Sequence, residues 1–322
     1  MTDAPDLKLG ILAWNQYTDW EGLERVGRLA DELGYDSLWT WDHLYPIVGD
    51  PTGPIFEGWM TLAAWAEVTE RVTLGLMVGA NTFRNPALFA KMATTLDHIS
   101  NGRAILGIGG AWFRTEHVAY GLDFGTGFGQ RLDWLDEAVH IMRGMVDGTE
   151  PSGSKRYTTK HVRNEPPPVQ RRLPILIGGG GERKTLRTTA RHADAWNIGG
   201  SVERARQKDE VLRRWCREVG RDESEIERTL GFALTVLRDD PAEARRVGRE
   251  GGRHQGGSRG ASFTGTPEQL AEALVPYVEI GFRHIFFDQA APWDDETIER
   301  IATEVRPMLL ERIGATGKVG AG

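Results

Sequence analysis

The chain has 322 residues, with 39 lysines and arginines against 46 aspartates and glutamates, a net charge of −7 and one cysteine. An acidic balance without a basic stripe excludes nucleic acid as the main partner, because a phosphate backbone needs a concentrated cationic face. The lone Cys216 excludes an intrachain disulfide and fits a reducing compartment.

Eight short apolar runs follow in chain order, over residues 7–14, 35–41, 72–78, 103–109, 174–178, 193–199, 230–237 and 282–287. Helical patterns separate them, as over 22–33 and 86–99, and strand alternating with helix implies a parallel sheet covered on both faces. Eight such units predict an α/β fold, a (β/α)8 TIM barrel, as a single domain over 1–322. Three stretches exceed the short loops of such units and read as insertions: 111–129 after strand four, 148–172 before strand five, and 249–262 after strand seven. The first carries Trp112, Phe113, Tyr120, Phe124 and Phe128, and reads either as an aromatic wall over the barrel mouth or as a surface loop packed on its own rings. The second ends in Pro166-Pro167-Pro168, an extended run that cannot continue a helix. The third, rich in glycine and charge, reads as a mobile loop, either a lid or a loop without function. No apolar run approaches the ~20 residues that span a bilayer, and the short acidic start is unlike a signal peptide. A cytoplasmic protein with no membrane partner is expected.

Chemistry in a barrel sits at the carboxyl ends of the strands. There the second run ends in Trp41-Asp42-His43-Leu44. Eight histidines show no metal-ligand spacing and there is no cysteine cluster, so no metal is expected; a G-x-S-x-G elbow is also missing. A glycosidase would need two carboxylates at strand ends, for which Asp42 and Asp288 are the candidates. Gly178-Gly179-Gly180-Gly181 follows the fifth run and leads into a helix start, which reads either as an anion site or as a tight turn without ligand. It is not a Walker loop, and Gly107-Ile108-Gly109-Gly110 lacks the third glycine of a dinucleotide fingerprint, although its missing side chains would admit a flat ring. Trp14, Trp41, Trp112 and Trp196 fall at or beyond strand ends, where they read either as walls of a pocket for a planar ligand or as packing at the barrel rim.

Taken together, these segments resemble the bacterial luciferase-like superfamily and its flavin- and deazaflavin-dependent oxidoreductases, over nearly the whole chain. The resemblance is carried by Ser37 to His43, Leu74 to Val78, Asn81 to Ala87, Asp97 to Arg103, Leu106 to Gly109 with Trp112, the four glycines, Ala193 to Asn197 and Gly265 to Gln269. Asn81 to Ala87 with Ala111-Trp112 and His117 to Gly121 is most similar to the branch that uses coenzyme F420, the 5-deazaflavin. The resemblance implies a cofactor ring at the strand ends, with Asp42 and His43 beside it and His43 near the reacting carbon. An imidazole gives or takes a proton near neutral pH, which suits hydride transfer that leaves an oxygen to be protonated. Met77-Val78 matches a strand bulge with a non-prolyl cis peptide behind the ring. Gly178, Gly179, Gly180 and Gly181, with Asn197 to Gly200 including Gly199, match segments on the ring, ribityl chain and phosphate; Asn81 and Gly109 complete the implied cofactor set. Arg183, Lys184 and Arg187 either meet an acidic cofactor tail or form a solvated face. Trp14 and Trp112 are the expected substrate contacts.

One departure from the family pattern bears on substrate. The sugar-phosphate dehydrogenases of the superfamily carry a glutamate acid where this chain has Trp112, so their substrate and proton relay do not transfer, and only proximity favours Glu116 or His117 as a replacement. The expected activity is an F420-dependent oxidoreductase acting on a small organic substrate. Its rivals are an FMNH2-dependent monooxygenase of the same fold and a non-catalytic flavin-binding barrel. A homodimer is also expected.

Overall fold

The computed structural model describes residues 7–255 and 262–319. In chain order the strands are β1 (Lys8–Ala13), β2 (Ser37–Thr40), β3 (Thr73–Leu76), β4 (Gly79–Ala80), β5 (Ala104–Gly109), β6 (Ile175–Gly178), β7 (Ala195–Ile198), β8 (Glu227–Phe232), β9 (Thr235–Leu237), β10 (Phe263–Gly265) and β11 (His284–Gln289). The helices are α1 (Trp20–Glu32), α2 (Gly58–Val68), α3 (Pro86–Ile99), α4 (Arg114–Ala119), α5 (Phe128–Val146), α6 (Thr185–His192), α7 (Val202–Val219), α8 (Pro241–His254), α9 (Pro267–Glu279), α10 (Asp295–Arg300) and α11 (Arg306–Val319). Parallel pairing runs β3-β2-β1-β11-β8-β7-β6-β5, and β3 pairs again with β5 through Leu74↔Ala104 and Gly75↔Ile105, which closes the expected eight-stranded (β/α)8 barrel.

Local chemistry fixes the helix starts that follow the strands. Asn85 caps α3 by accepting the Ala87 N–H at 2.9 Å, with Pro86 already at the φ a first turn needs. Thr266 and Gln269 form a reciprocal capping box on α9. The barrel interior is filled by large residues, among them Trp39, Leu176 and Phe286, all fully buried. Trp39 fits because its neighbour in β3 is glycine: a Cβ on Gly75 would lie 2.5 Å from the Trp39 ring.

Loops are pinned by buried carboxylates that collect backbone N–H groups. Asp31 takes those of Glu70, Arg71 and Val72 ahead of β3. Glu137 of α5 takes those of Ser154, Lys155, Arg156 and Tyr157, which hold its carboxyl below the usual range although burial pushes it up. The 148–172 insertion, though without helix or strand, is thereby attached to the barrel, and the Tyr157 hydroxyl donates to the Asn81 carbonyl at 2.8 Å.

Several expectations are corrected. Run 230–237 is not one strand: β8 stays in the barrel while β9 leaves it to pair with β10. The 249–262 loop is helical up to His254, because Ala244, Gly248 and Gly252 give α8 a buried face; residues 256–261 of that stretch, read either as a lid or as a loop without function, lie outside the described residues. The 111–129 insertion contains α4. Trp196 faces the helical layer rather than a pocket, fully buried against Phe282 with its Nε1 donating to Gly179 O at 2.9 Å. Arg103 of the Asp97 to Arg103 segment is structural, donating to the carbonyls of Ala66, Thr69 and Val72. Cys216 is buried, and burial pushes its thiol up, as for a structural thiol.

Candidate active site

The carboxyl ends of the strands enclose a cavity of about 360 Å³, within the range of small-molecule sites. Its floor is β-sheet almost without side chains. The Met77–Val78 peptide between β3 and β4 is cis, and Val78 lies against two glycines, where a Cβ on Gly109 would sit 2.6 Å from Val78 Cγ2 and one on Gly178 would sit 3.0 Å from both Val78 methyls. Gly179 and Asn197 continue the floor.

One wall is the end of β2. Asp42 is buried, its Oδ2 accepting from the Ala80 N–H at 2.9 Å and from Arg84 Nη1 at 2.7 Å. Burial pushes its carboxyl up, against the pull of the Arg84 guanidinium. Arg84 in turn donates to Glu57 at 2.6 Å. The second Asp42 oxygen, Oδ1, is buried without a hydrogen-bond partner in the protein.

His43 follows, its side chain 16% exposed, with Nδ1 at 2.9 Å and 3.2 Å from the two Glu116 carboxylate oxygens. Glu116 arrives on α4 from the 111–129 insertion and also accepts the Leu44 N–H at 2.9 Å. A carboxylate beside Nδ1 favours the tautomer with the proton on that nitrogen. The insertion supplies the aromatic rim as well: Trp112 and Phe113 meet the His43 ring edge-on at 5.5 Å and 6.1 Å between centroids. Trp41, Ile47 and Phe128 complete the apolar side.

Of the residues singled out in the sequence, Asp42, His43, Met77, Val78, Gly109, Gly178, Gly179, Asn197 and Trp112 converge on this cavity. Others do not reach it. Trp14 lies behind Trp41, stacked at 4.7 Å, and is not a wall. Asn81 is buried outside it, its amide donating to Arg131 O at 3.1 Å. Gly180, Gly181 and Gly199 do not line it. The Gly179 N–H already donates to Asn197 O at 3.0 Å and α6 starts only at Thr185, so the four glycines are a turn whose amides are partly spent. Lys184 is paired with Asp133 at 2.8 Å. His117 is buried between Thr82 Oγ1 and Phe113 O, and burial lowers its pKa. Asp288 does not line the cavity either, so the carboxylate pair of a glycosidase is not assembled. No cluster able to hold a metal occurs among the described residues. Arg84, Glu57 and Ile47 carry no local signal in the sequence; Arg84 lies within the Asn81 to Ala87 segment, but no spacing marks its partner Asp42.

A second cavity, of about 410 Å³, opens at the amino ends of the strands beside Lys8, Glu227 and His284. That end of a barrel serves stability rather than chemistry.

A closed parallel barrel with a glycine floor and a carboxylate-held histidine at one strand end defines a class of ligand-binding barrel. The chain belongs to the luciferase-like monooxygenase family, whose model matches residues 8–255. It is 30% identical over 191 residues to an uncharacterized protein of Mycobacterium tuberculosis, an alignment covering 53% of this chain and 65% of the relative. It is 26% identical to an F420-dependent glucose-6-phosphate dehydrogenase of Microbacterium testaceum, across 95% of this chain and 98% of that protein. The fold also matches an F420-dependent secondary alcohol dehydrogenase solved with an F420-acetone adduct, at a TM-score of 0.81 and 19% identity, covering 94% of this chain and 99% of that one. No helix among the described residues is long and apolar enough to cross a membrane.

Proposed function

We propose that this chain is an F420-dependent oxidoreductase that moves a hydride between the deazaflavin and a small organic substrate. The observation that carries the reading is the His43–Glu116 contact at the cavity wall, 2.9 Å long and set opposite a floor of glycine and Val78. Family membership and the names of the relatives support it.

When bound, the deazaflavin supplies the carbon that accepts or donates the hydride. The chain's residues fit such a group: Val78, Gly109, Gly178 and Gly179 would admit a flat ring, and Met77, Asn197 and Asp42 would hold it at the cavity wall. Glu116 orients His43, whose Nε2 holds or moves the proton at the substrate oxygen. Trp112 and Phe113 pack edge-on against the His43 ring on its rim side. The reading includes a single domain, a homodimer that light scattering would measure, and a cytoplasmic setting.

Fluorescence quenching on titration with F420 and with FMN tests the cofactor. F420 is expected to bind with a Kd on the order of 1 µM or below, and oxidised FMN much more weakly. Equal affinity, or a preference for FMN, would overturn the assignment in favour of the monooxygenase reading.

A further inference from the structure

We propose that the cavity selects an uncharged flat or aromatic ketone, or the matching secondary alcohol, and rejects sugar phosphates. The inference rests on the deazaflavin reading and adds the substrate class to it.

Charge is the first argument. Among the described residues no lysine or arginine lines the cavity, and its two ionisable acids, Asp42 and Glu116, are both carboxylates. Each already has its partner, Arg84 at 2.7 Å and His43 at 2.9 Å. A phosphate monoester carries about −1.5 to −2 charges at neutral pH. Inside this cavity it would lose its hydration beside two carboxylates, with no lining lysine or arginine to offset the loss. Sugar hydroxyls fare little better, since the lining named among the described residues is mostly glycine, aromatic and aliphatic, with Asp42 and Glu116 already engaged.

Shape and polarity are the second. Trp112 is 60% exposed at the rim, although a large aromatic surface gains from being covered. Its ring stands 5.3 Å from that of Phe113, tilted by 32°, and 5.5 Å from His43. With Ile47 and Phe128 it forms an apolar slot beside the proton-exchanging imidazole. A planar carbonyl compound covers the Trp112 ring while its oxygen reaches His43. In the reduction the carbonyl carbon receives a hydride, with both electrons, from the reduced deazaflavin. The C=O π pair moves onto oxygen, and that oxygen takes one proton from His43; the reverse direction returns ketone and reduced deazaflavin from the alcohol.

Saturation-transfer NMR with acetophenone and with glucose 6-phosphate tests this, with F420 binding followed by quenching in the same samples. Acetophenone is expected to show transfer and glucose 6-phosphate none. Trp112→Ala should weaken acetophenone about tenfold, the loss of one aromatic contact, and Trp112→Phe should restore it to within about threefold. Because Trp112 is more than half exposed, its truncation leaves the core intact, which circular dichroism checks. Glucose 6-phosphate binding as tightly as acetophenone, or acetophenone binding unchanged in Trp112→Ala, overturns the proposal. Should F420 fail to bind, the cofactor reading falls alone, and the response of acetophenone to Trp112 still decides the substrate class.

Discussion

Glu116 and His43, 73 residues apart in the chain, meet with both carboxylate oxygens within 3.2 Å of Nδ1. One of those oxygens also takes the Leu44 N–H, so a single side chain from an insertion fixes both the ring and the backbone beside it. Glu116→Gln keeps the size of the group but offers one acceptor where two bonds are now made. Turnover is expected to fall about 10- to 100-fold, as for other groups that orient a reactive imidazole, with F420 affinity changed less than threefold. Steady-state kinetics beside a quenching titration would show it, and an unchanged kcat would mean that Glu116 only holds Leu44.

His43→Ala removes the group proposed to exchange the proton. Reduction of accepted ketones by F420H2 should slow about 10²-fold or more, with F420 still bound. A variant that matches the parent at every pH from about 6 to 8 while melting earlier would reduce His43 to a rim-packing residue.

The glycine floor makes a prediction about pairs. Gly109→Ala places a methyl 2.6 Å from Val78 Cγ2, closer than carbon atoms tolerate. Overpacking of this kind costs about 1–3 kcal/mol, and the displaced Val78 should also weaken F420 binding. Val78→Ala removes the obstructing methyls, so the double variant is expected to be more stable than the sum of the single losses predicts. Strictly additive melting shifts would show that the floor yields elsewhere.

Acid should act through His192, whose burial lowers its pKa to about 4 against the opposing charge of Asp136. The folded protein therefore prefers the neutral ring while the unfolded chain takes up the proton below about 6.5. Stability tied to this residue is intact above that pH and is lost as the pH falls from about 6.5 towards about 4, by an amount on the order of 3 kcal/mol. In His192→Gln this part of the acid slope should vanish. Urea midpoints measured across that window would reveal it, and parallel curves for the two proteins would contradict it.

The barrel was legible because its signal is local. Each strand is a short apolar run, and α3 announces itself by Asn85, Pro86 and a buried face. The site was half legible. Asp42 and His43 sit one and two residues beyond the Trp41 that ends the second run, but Glu116 and Arg84 earn their roles from partners far away in sequence, which no spacing encodes. Trp14 and Trp196 show the limit of reading strand ends: which face a residue takes depends on the alternation within the strand, so one tryptophan packs behind another and the other turns to the helices. The split of run 230–237 into β8 and β9 likewise depends on pairing with β10, which lies beyond an intervening helix.

The clasp that Glu137 places on residues 154–157 gives the outer insertion a line to the cavity. Tyr157 is the last residue of the clasp, its hydroxyl holds the Asn81 carbonyl, and the neighbouring Ala80 N–H holds Asp42. Loosening the clasp, by protonating Glu137 or cutting the loop, would free the backbone that aims Asp42 at the cavity. An irregular surface segment is thus joined by successive hydrogen bonds to the backbone beside a carboxylate it never touches.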